Sequence, residues 1–223
     1  MPPHPPATAS FPGLDLVSGA RDRMLAPGAM LLAGRARATA PELIALIEAI
    51  ALAAPFRRMS TPGGRTMSVA MTNCGALGWL SDARGYRYTP HDPLTGLPWP
   101  AMPAAFTTLA GKAAAEAGYP DFAPDACLIN RYESGTRLTL HQDRNERDFG
   151  QPIVSISLGL PAIFLWGGPT RTDPIQRVPL EHGDIVAWGG QARLAHHGIR
   201  PLAEGTHPLT GRARLNLTFR RAG

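Results

Sequence analysis

The apolar positions of this chain change their spacing part-way along it. In the first half, Leu43, Ile44, Leu46, Ile47 and Ile50 recur at helical intervals between Thr39-Ala40-Pro41-Glu42 and Pro55. Thr39 is read as an N-cap, Glu42 as its capping-box partner, Pro41 as a first-turn residue and Pro55 as the stop. A second, alanine-rich helix is expected from Ala104 to Ala117, closed by Gly118 and Pro120. Met30-Leu31-Leu32 is a candidate short strand. From Asp125 the pattern becomes a series of short β-prone runs separated by glycine, proline, asparagine or aspartate: Ala126 to Tyr132, Leu138 to His141, Ile153 to Leu158, Ala162 to Trp166, Arg177 to Leu180, Ile185 to Trp188, Leu194 to His197 and Arg214 to Arg220. With no helical pattern between them, these runs predict a sandwich or jelly roll and not a parallel doubly wound sheet.

Two of the runs carry candidate chemistry. At the end of Leu138-Thr139-Leu140 stands His141-Gln142-Asp143, and side chains two apart on a strand share a face, so an imidazole and a carboxylate lie side by side. Taken alone, the same tripeptide also suits a solvated turn. Two histidines and one carboxylate make a facial site for non-haem Fe(II) with open positions for oxygen chemistry. The sequence leaves the second histidine open among His182, His196 and His197, of which the adjacent pair cannot both enter one site. In the last run, alternation sets Leu215, Leu217 and Phe219 on one face and Arg214, Asn216, Thr218 and Arg220 on the other. An exposed strand gives that pattern too. A cosubstrate with two carboxylates would need it, because guanidinium groups pair with carboxylates in a fixed planar geometry.

Composition narrows the setting. The 223 residues suffice for one large domain with a sizeable core. Residues Met1 to Pro12 are crowded with proline and alanine, and a disordered tail is expected over residues 1–20, ahead of a single domain over 21–223. Cys74 and Cys127 are far apart without zinc-type spacing, no apolar run approaches membrane-spanning length, and the N-terminus lacks a secretory pattern, so a cytoplasmic protein with reduced thiols is expected. A net charge of +5 permits an anionic partner such as nucleic acid. The long segment 56–103, rich in glycine and proline and poor in periodic pattern, reads as a long loop; it mixes Arg57, Arg58, Arg65, Arg84 and Arg87 with Trp79, Tyr86, Tyr88 and Trp99, the mixture found where a strand is gripped and a base stacked. Aromatics buried against the core would look the same. With no heptad run or spare apolar helix face, a monomer is expected.

From about Phe56 to Gly223 the chain resembles the AlkB-type Fe(II)- and 2-oxoglutarate-dependent dioxygenases that repair alkylated nucleic acid. The resemblance is carried by Met59-Ser60-Thr61-Pro62-Gly63-Gly64, Met67 to Gly75, Pro98 to Pro103, Ala117 to Phe122, Leu128-Ile129-Asn130-Arg131-Tyr132, His141-Gln142-Asp143, Ser157 to Phe164, Leu180 to Asp184 and the ending Arg214-x-Asn216-x-Thr218-Phe219-Arg220. It implies an α+β chain: a double-stranded β-helix (jelly-roll) core over about 125–223, N-terminal helices, and a nucleotide-recognition lid over about 56–103. It implies a triad of His141, Asp143 and His197 for Fe(II), and Asn130, Tyr132, Arg214, Asn216 and Arg220 for 2-oxoglutarate.

For the substrate, the resemblance implies that Trp79 stacks on the damaged base with His141 on its other side, that Thr61, Met71 and Tyr86 line the lid, and that Arg171 meets a phosphate. The family pattern has an acidic residue two after the metal carboxylate, where this chain has Asn145, with Glu146 next door as a compensating charge. The implied reaction uses O2 to oxidise an N-methyl group of 1-methyladenine or 3-methylcytosine and releases formaldehyde, succinate and carbon dioxide. The implied partner is methylated DNA, single-stranded or with the base flipped, and RNA is a second candidate. The competing expectation is a 2-oxoglutarate oxygenase with a substrate other than nucleic acid.

Overall fold

The computed structural model describes residues 22–223; the tail expected over residues 1–20 lies outside the described residues. In chain order the elements are β1 (Arg23–Ala26), β2 (Ala29–Leu32), α1 (Ala40–Ala53), β3 (Ala70–Gly75), β4 (Gly78–Asp82), β5 (Gly85–Thr89), α2 (Ala104–Glu116), β6 (Ala126–Tyr132), β7 (Leu138–His141), β8 (Ile153–Gly159), β9 (Ala162–Trp166), β10 (Gln176–Leu180), β11 (Ile185–Trp188), β12 (His197–Ile199) and β13 (Arg214–Arg220). They form a seven-stranded sheet ordered β1-β2-β11-β8-β13-β6-β3, a four-stranded sheet ordered β10-β9-β12-β7, and the separate hairpin β4-β5. The neighbouring named strands run antiparallel, in keeping with a jelly-roll core. No helix among the described residues is long and apolar enough to cross a membrane.

Alternation along β13 sets the layering. Leu215, Leu217 and Phe219 join Leu43, Ile47, Phe106 and Ala110 in one core, so α1 and α2 cover that face of the large sheet. Phe106 and Phe219 meet edge to face at 6.0 Å, a packing of fully buried rings whose removal costs roughly 3–5 kcal/mol each. The opposite face of the large sheet packs toward the small one, and Met71, Leu128, Tyr132 and Trp188 share a second core with Phe164, Trp166, Val178 and Ile199. The polar face of β13 points into this space between the sheets: all seven residues of the strand are buried, so it is not the exposed strand that alternation also allowed.

The structure departs from expectation in three places. Thr39 stands at the N-terminal end of α1 but makes no side-chain cap: its backbone is already helical (φ −95°, ψ −2°) and its hydroxyl turns back to donate to the Ala36 carbonyl at 3.3 Å. A capping side chain needs extended backbone to reach forward, so the capping box does not form. The segment 56–103 holds β3, β4 and β5. Of these, β3 is buried on both faces and so shows no period of two, and it lends Met71 and Asn73 to the large sheet. The run expected from Leu194 to His197 becomes a strand only at His197, because His196 is tied to the next loop through its backbone N–H to the Gly168 carbonyl at 2.8 Å. Gly198 lets this strand press against β7: a Cβ there would lie 2.6 Å from the Leu138 carbonyl oxygen.

Candidate active site

Strand pairing brings the two histidines together. His197 of β12 lies directly opposite His141 of β7, and their ring centroids are 4.4 Å apart. Just past the end of β7, Asp143 completes the cluster: one ligand atom from each of His141, Asp143 and His197 falls within 4.8 Å of the others. His141 Nδ1 faces the Thr139 carbonyl at 2.9 Å and His197 Nδ1 faces the Ala195 carbonyl at 3.0 Å. A carbonyl only accepts, so each Nδ1 carries the proton and each Nε2 presents a lone pair inward. Those nitrogens stand 3.5 and 3.9 Å from the Asp143 oxygens with no proton between them. Three mutually facing electron-pair donors suit a divalent cation, with ring orientation fixed by the outer hydrogen bonds.

Electrostatics keep the donors in ligating form. Burial lowers the His197 pKa, the His141 ring lowers it further, and it falls to about 4 despite the Asp143 carboxylate. Burial pushes the Asp143 carboxyl up, but the Arg220 guanidinium beside it outweighs burial and holds the group well below the usual carboxylate range. Arg220 donates to Asp143 Oδ2 from Nε at 2.9 Å and from Nη2 at 2.6 Å. Burial disfavours the charged guanidinium, yet Asp143 more than restores it.

Beside the cluster, the register of β13 with its neighbours assembles a second group of polar side chains. Arg214 pairs with Tyr132 and Asn216 with Asn130 across to β6, while Asn216 and Thr218 face Ser157 and Ser155 of β8. Asn216 Nδ2 donates to Ser155 Oγ at 2.8 Å and to the Ile156 carbonyl at 2.9 Å, and Asn130 Nδ2 donates to Asn216 Oδ1 at 3.3 Å. Arg214 lies over the Tyr132 ring at 4.9 Å and donates once, to Ser157 Oγ at 2.9 Å. Its Nε and Nη1, and Asn130 Oδ1, are buried without partners among the described residues. Burial accordingly lowers the Arg214 pKa and raises that of Tyr132. An unpaired buried guanidinium is costly, and a carboxylate ligand would relieve the cost.

Both groups line one cavity of about 260 Å³, whose walls also include Thr61, Met71, Trp79, Tyr86 and Asn145. Trp79 and Tyr86, diagonal neighbours on the β4-β5 hairpin, stack at 5.7 Å with their planes 15° apart. Of the expected site residues, Arg171 alone stays off the cavity wall: one of its nitrogens is bound to the Leu140 carbonyl at 2.9 Å. His182 is a turn residue whose Nδ1 accepts the Gly159 N–H at 2.9 Å, and His196 is tied to the Gly168 backbone. Glu146 does not stand in for the acid missing at Asn145. It is buried away from the cavity, accepting from Tyr88 at 2.6 Å and from Arg193 at 3.0 Å. Arg193, absent from the sequence reading, also donates to the backbone carbonyl of Asp143 at 2.8 Å. No local pattern marks Arg193, whereas the alternation Ile153-Val154-Ser155-Ile156-Ser157-Leu158 does put Ser155 and Ser157 on one strand face.

Residues 28–220 match the family model of the 2OG-Fe(II) oxygenase superfamily. Over 212 residues the chain is 58% identical to the alpha-ketoglutarate-dependent dioxygenase AlkB of Escherichia coli (strain K12), spanning 94% of this chain and 98% of that protein. The chain belongs to the AlkB family of 2OG-Fe(II) oxygenases. An AlkB homolog of Caulobacter vibrioides (strain NA1000 / CB15N) is 48% identical over 182 residues, 80% of this chain and 81% of its own. The solved structure of OsALKBH1 superposes with a TM-score of 0.79 at 29% identity, covering 90% of this chain and 99% of that one. This AlkB-family enzyme therefore uses Fe(II), 2-oxoglutarate and O2. The residues present fit that pair: a neutral-imidazole and carboxylate cluster for the metal, and beside it a buried arginine with two nitrogens unsatisfied.

Proposed function

We propose that this dioxygenase oxidatively demethylates N-alkylated bases, 1-methyladenine and 3-methylcytosine among them, in DNA and as a second substrate RNA, and so serves repair of alkylation damage. The observation that carries this reading is one cavity that joins the His-Asp-His cluster, an unsatisfied arginine and a stacked pair of aromatics, half-buried Trp79 and exposed Tyr86. His141, Asp143 and His197 would hold Fe(II). Arg214, Asn216, Asn130, Tyr132 and Arg220 would hold 2-oxoglutarate, with the free nitrogens of Arg214 offered to a carboxylate. When bound, the metal and keto acid supply the oxidising power that turns O2, 2-oxoglutarate and an N-methyl group into succinate, carbon dioxide and formaldehyde.

The protein's own residues position and shield. Asp143 stays ionised because Arg220 pairs with it, and His197 stays neutral at physiological pH because it is buried. Trp188 and Phe164, packed at 5.0 and 5.9 Å from the His197 ring, keep water from that side of the cluster. On the hairpin within 56–103, which we read as the recognition lid, Trp79 offers a flat face to a base with His141 opposite; Tyr86, Thr61 and Met71 complete the wall, and exposed Arg171, outside it and held by one nitrogen on the Leu140 carbonyl, would meet a backbone phosphate with the rest of its guanidinium. A methyl on the Watson–Crick edge cannot enter such a cavity from a paired duplex, so the base arrives flipped or single-stranded, and a methyl that spoils pairing makes flipping cheaper. The buried Cys74 and Cys127, both free thiols, agree with work in the cytoplasm, where we expect the protein to act as a monomer.

The test is mass spectrometry of a short single-stranded DNA carrying one 1-methyladenine or 3-methylcytosine, incubated with the protein, Fe(II), 2-oxoglutarate and ascorbate. The expected result is loss of one methyl mass with the intact protein and none with His141→Ala. Succinate formed without methyl loss would mean that the iron site works on a substrate other than these two bases. Neither product would overturn the assigned triad.

A further inference from the structure

Methylation of a Watson–Crick-edge nitrogen yields two chemical classes. N1 of adenine and N3 of cytosine carry no hydrogen, so a methyl there makes a cation beside an exocyclic amine, which donates. N1 of guanine and N3 of thymine carry a hydrogen that the methyl replaces, leaving a neutral base; at purine C6 and pyrimidine C4, where adenine and cytosine carry the amine, guanine and thymine carry a carbonyl, which accepts. A site that reads this edge must supply an acceptor and negative charge for the first class, or a donor for the second.

Asn145 follows Asp143 by two residues and lines the cavity beside Trp79. The Trp79 indole Nε1 donates to Asn145 Oδ1 at 3.3 Å. An indole N–H can only donate, so the amide oxygen is the atom held there and the amide NH2 is left without a partner among the described residues. The side chain at this point thus offers a donor. Negative charge is also lacking. Asp143 is the cavity's one carboxylate, and it is bonded twice by Arg220 and belongs to the metal cluster. Glu146, next in sequence, is turned inward and bound by Tyr88 and Arg193. Arg214 and Arg220 line the same space, so a cationic base gains no compensating partner.

We propose that this site favours neutral methylated bases with a carbonyl at purine C6 or pyrimidine C4, the class of 1-methylguanine and 3-methylthymine, and that Asn145, oriented by Trp79, is the group that reads that carbonyl. This rests on the demethylase reading above and names the substrate class of that site. An exocyclic amine would face the Asn145 NH2 donor to donor, whereas a carbonyl accepts from it.

The experiment compares four single-stranded oligonucleotides, identical except for 1-methyladenine, 3-methylcytosine, 1-methylguanine or 3-methylthymine. Two readouts are taken with the full-length protein: kcat/KM for methyl loss, and binding to the metal-free protein by fluorescence anisotropy. The expected result is that the carbonyl pair is bound and processed at least as well as the amine pair. Asn145→Asp should move the ratio of the two classes roughly tenfold toward the cations, since it restores charge and acceptor together. Trp79→Phe keeps a stacking ring but removes the indole N–H, so the freed amide can rotate and the ratio should move the same way by a few-fold. It also serves if Asn145→Asp fails to fold. A tenfold preference of the unaltered protein for the cations, or a ratio unmoved by both substitutions, overturns the inference. If no oligonucleotide loses its methyl, the demethylase reading fails, and the anisotropy ranking decides the inference on its own.

Discussion

The two ends of the cavity are built differently. At the inner end, Arg214, Asn216 and Arg220 sit on the central strand β13, all buried; strand register sets the partners of Arg214 and Asn216, and Arg220 pairs with Asp143 just past β7. At the mouth, Trp79, Tyr86 and Asn145 come from a two-stranded hairpin and a loop; Tyr86 is 46% exposed, and a 3.3 Å hydrogen bond joins Trp79 to Asn145. The inner end holds groups that must not move while electrons do, and the sheet supplies the rigidity. The mouth meets a large and variable partner, and an exposed hairpin can adjust to it at low cost. Tyr88 spans the two: it belongs to the hairpin but donates to buried Glu146, which also touches Arg220 at 3.4 Å.

Substitutions at the two ends should separate their contributions. The largest effect is expected from Arg214→Met, which removes the guanidinium that has two unsatisfied nitrogens. Losing a charge-assisted pair worth roughly 1.5–3 kcal/mol should raise KM for 2-oxoglutarate about 10- to 100-fold. Urea unfolding of the protein without cosubstrate should meanwhile show equal or higher stability, because an under-satisfied buried charge has been replaced by an apolar side chain. A matching loss of stability would mean that Arg214 is structural instead.

At the mouth, Trp79→Ala should raise KM for a methylated oligonucleotide by the loss of one base stack, roughly 1–3 kcal/mol, and leave the 2-oxoglutarate KM unchanged. A change in the 2-oxoglutarate KM as well would show that the two ends are mechanically coupled. The smallest effect concerns neither end. Burial lowers the His182 pKa, and His207 at 4.4 Å and Arg37 lower it further against Asp184. A group whose folded value lies below its unfolded one, near 6.5, adds stability that is complete above that pH and is lost as pH falls toward the folded value. Urea midpoints should therefore drop more steeply below pH 6.5 in the unaltered protein than in His182→Asn, and parallel curves would refute this. Activity measured relative to folded protein should not distinguish the two.

Much of the candidate site was legible because its residues carry short-range signals. His141 and Asp143 are two apart, and the alternation of Arg214, Asn216, Thr218 and Arg220 is visible in one strand. The resemblance chose His197 over His182 and His196, and the cluster contains that residue and neither of the others. What the sequence concealed lies in groups without periodicity. β3 is buried on both faces and so reads as a loop, and Arg193 acts through a backbone carbonyl fifty positions away. Glu146 was misjudged for a similar reason: beside Asn145 in the chain, it points into the protein toward Tyr88.

By itself the sequence determined the antiparallel β-rich class, the two helices and the chemical types of the site residues, because each follows from local spacing and side-chain inventory. Only the tertiary structure decided that the polar face of β13 is buried between two sheets and not exposed, that strand register sets His197 opposite His141, and that Trp79 takes the oxygen of Asn145 and leaves its NH2 without a partner among the described residues. Those facts depend on which strands pair and what packs across the gap, and side-chain spacing within a single strand carries no information about either.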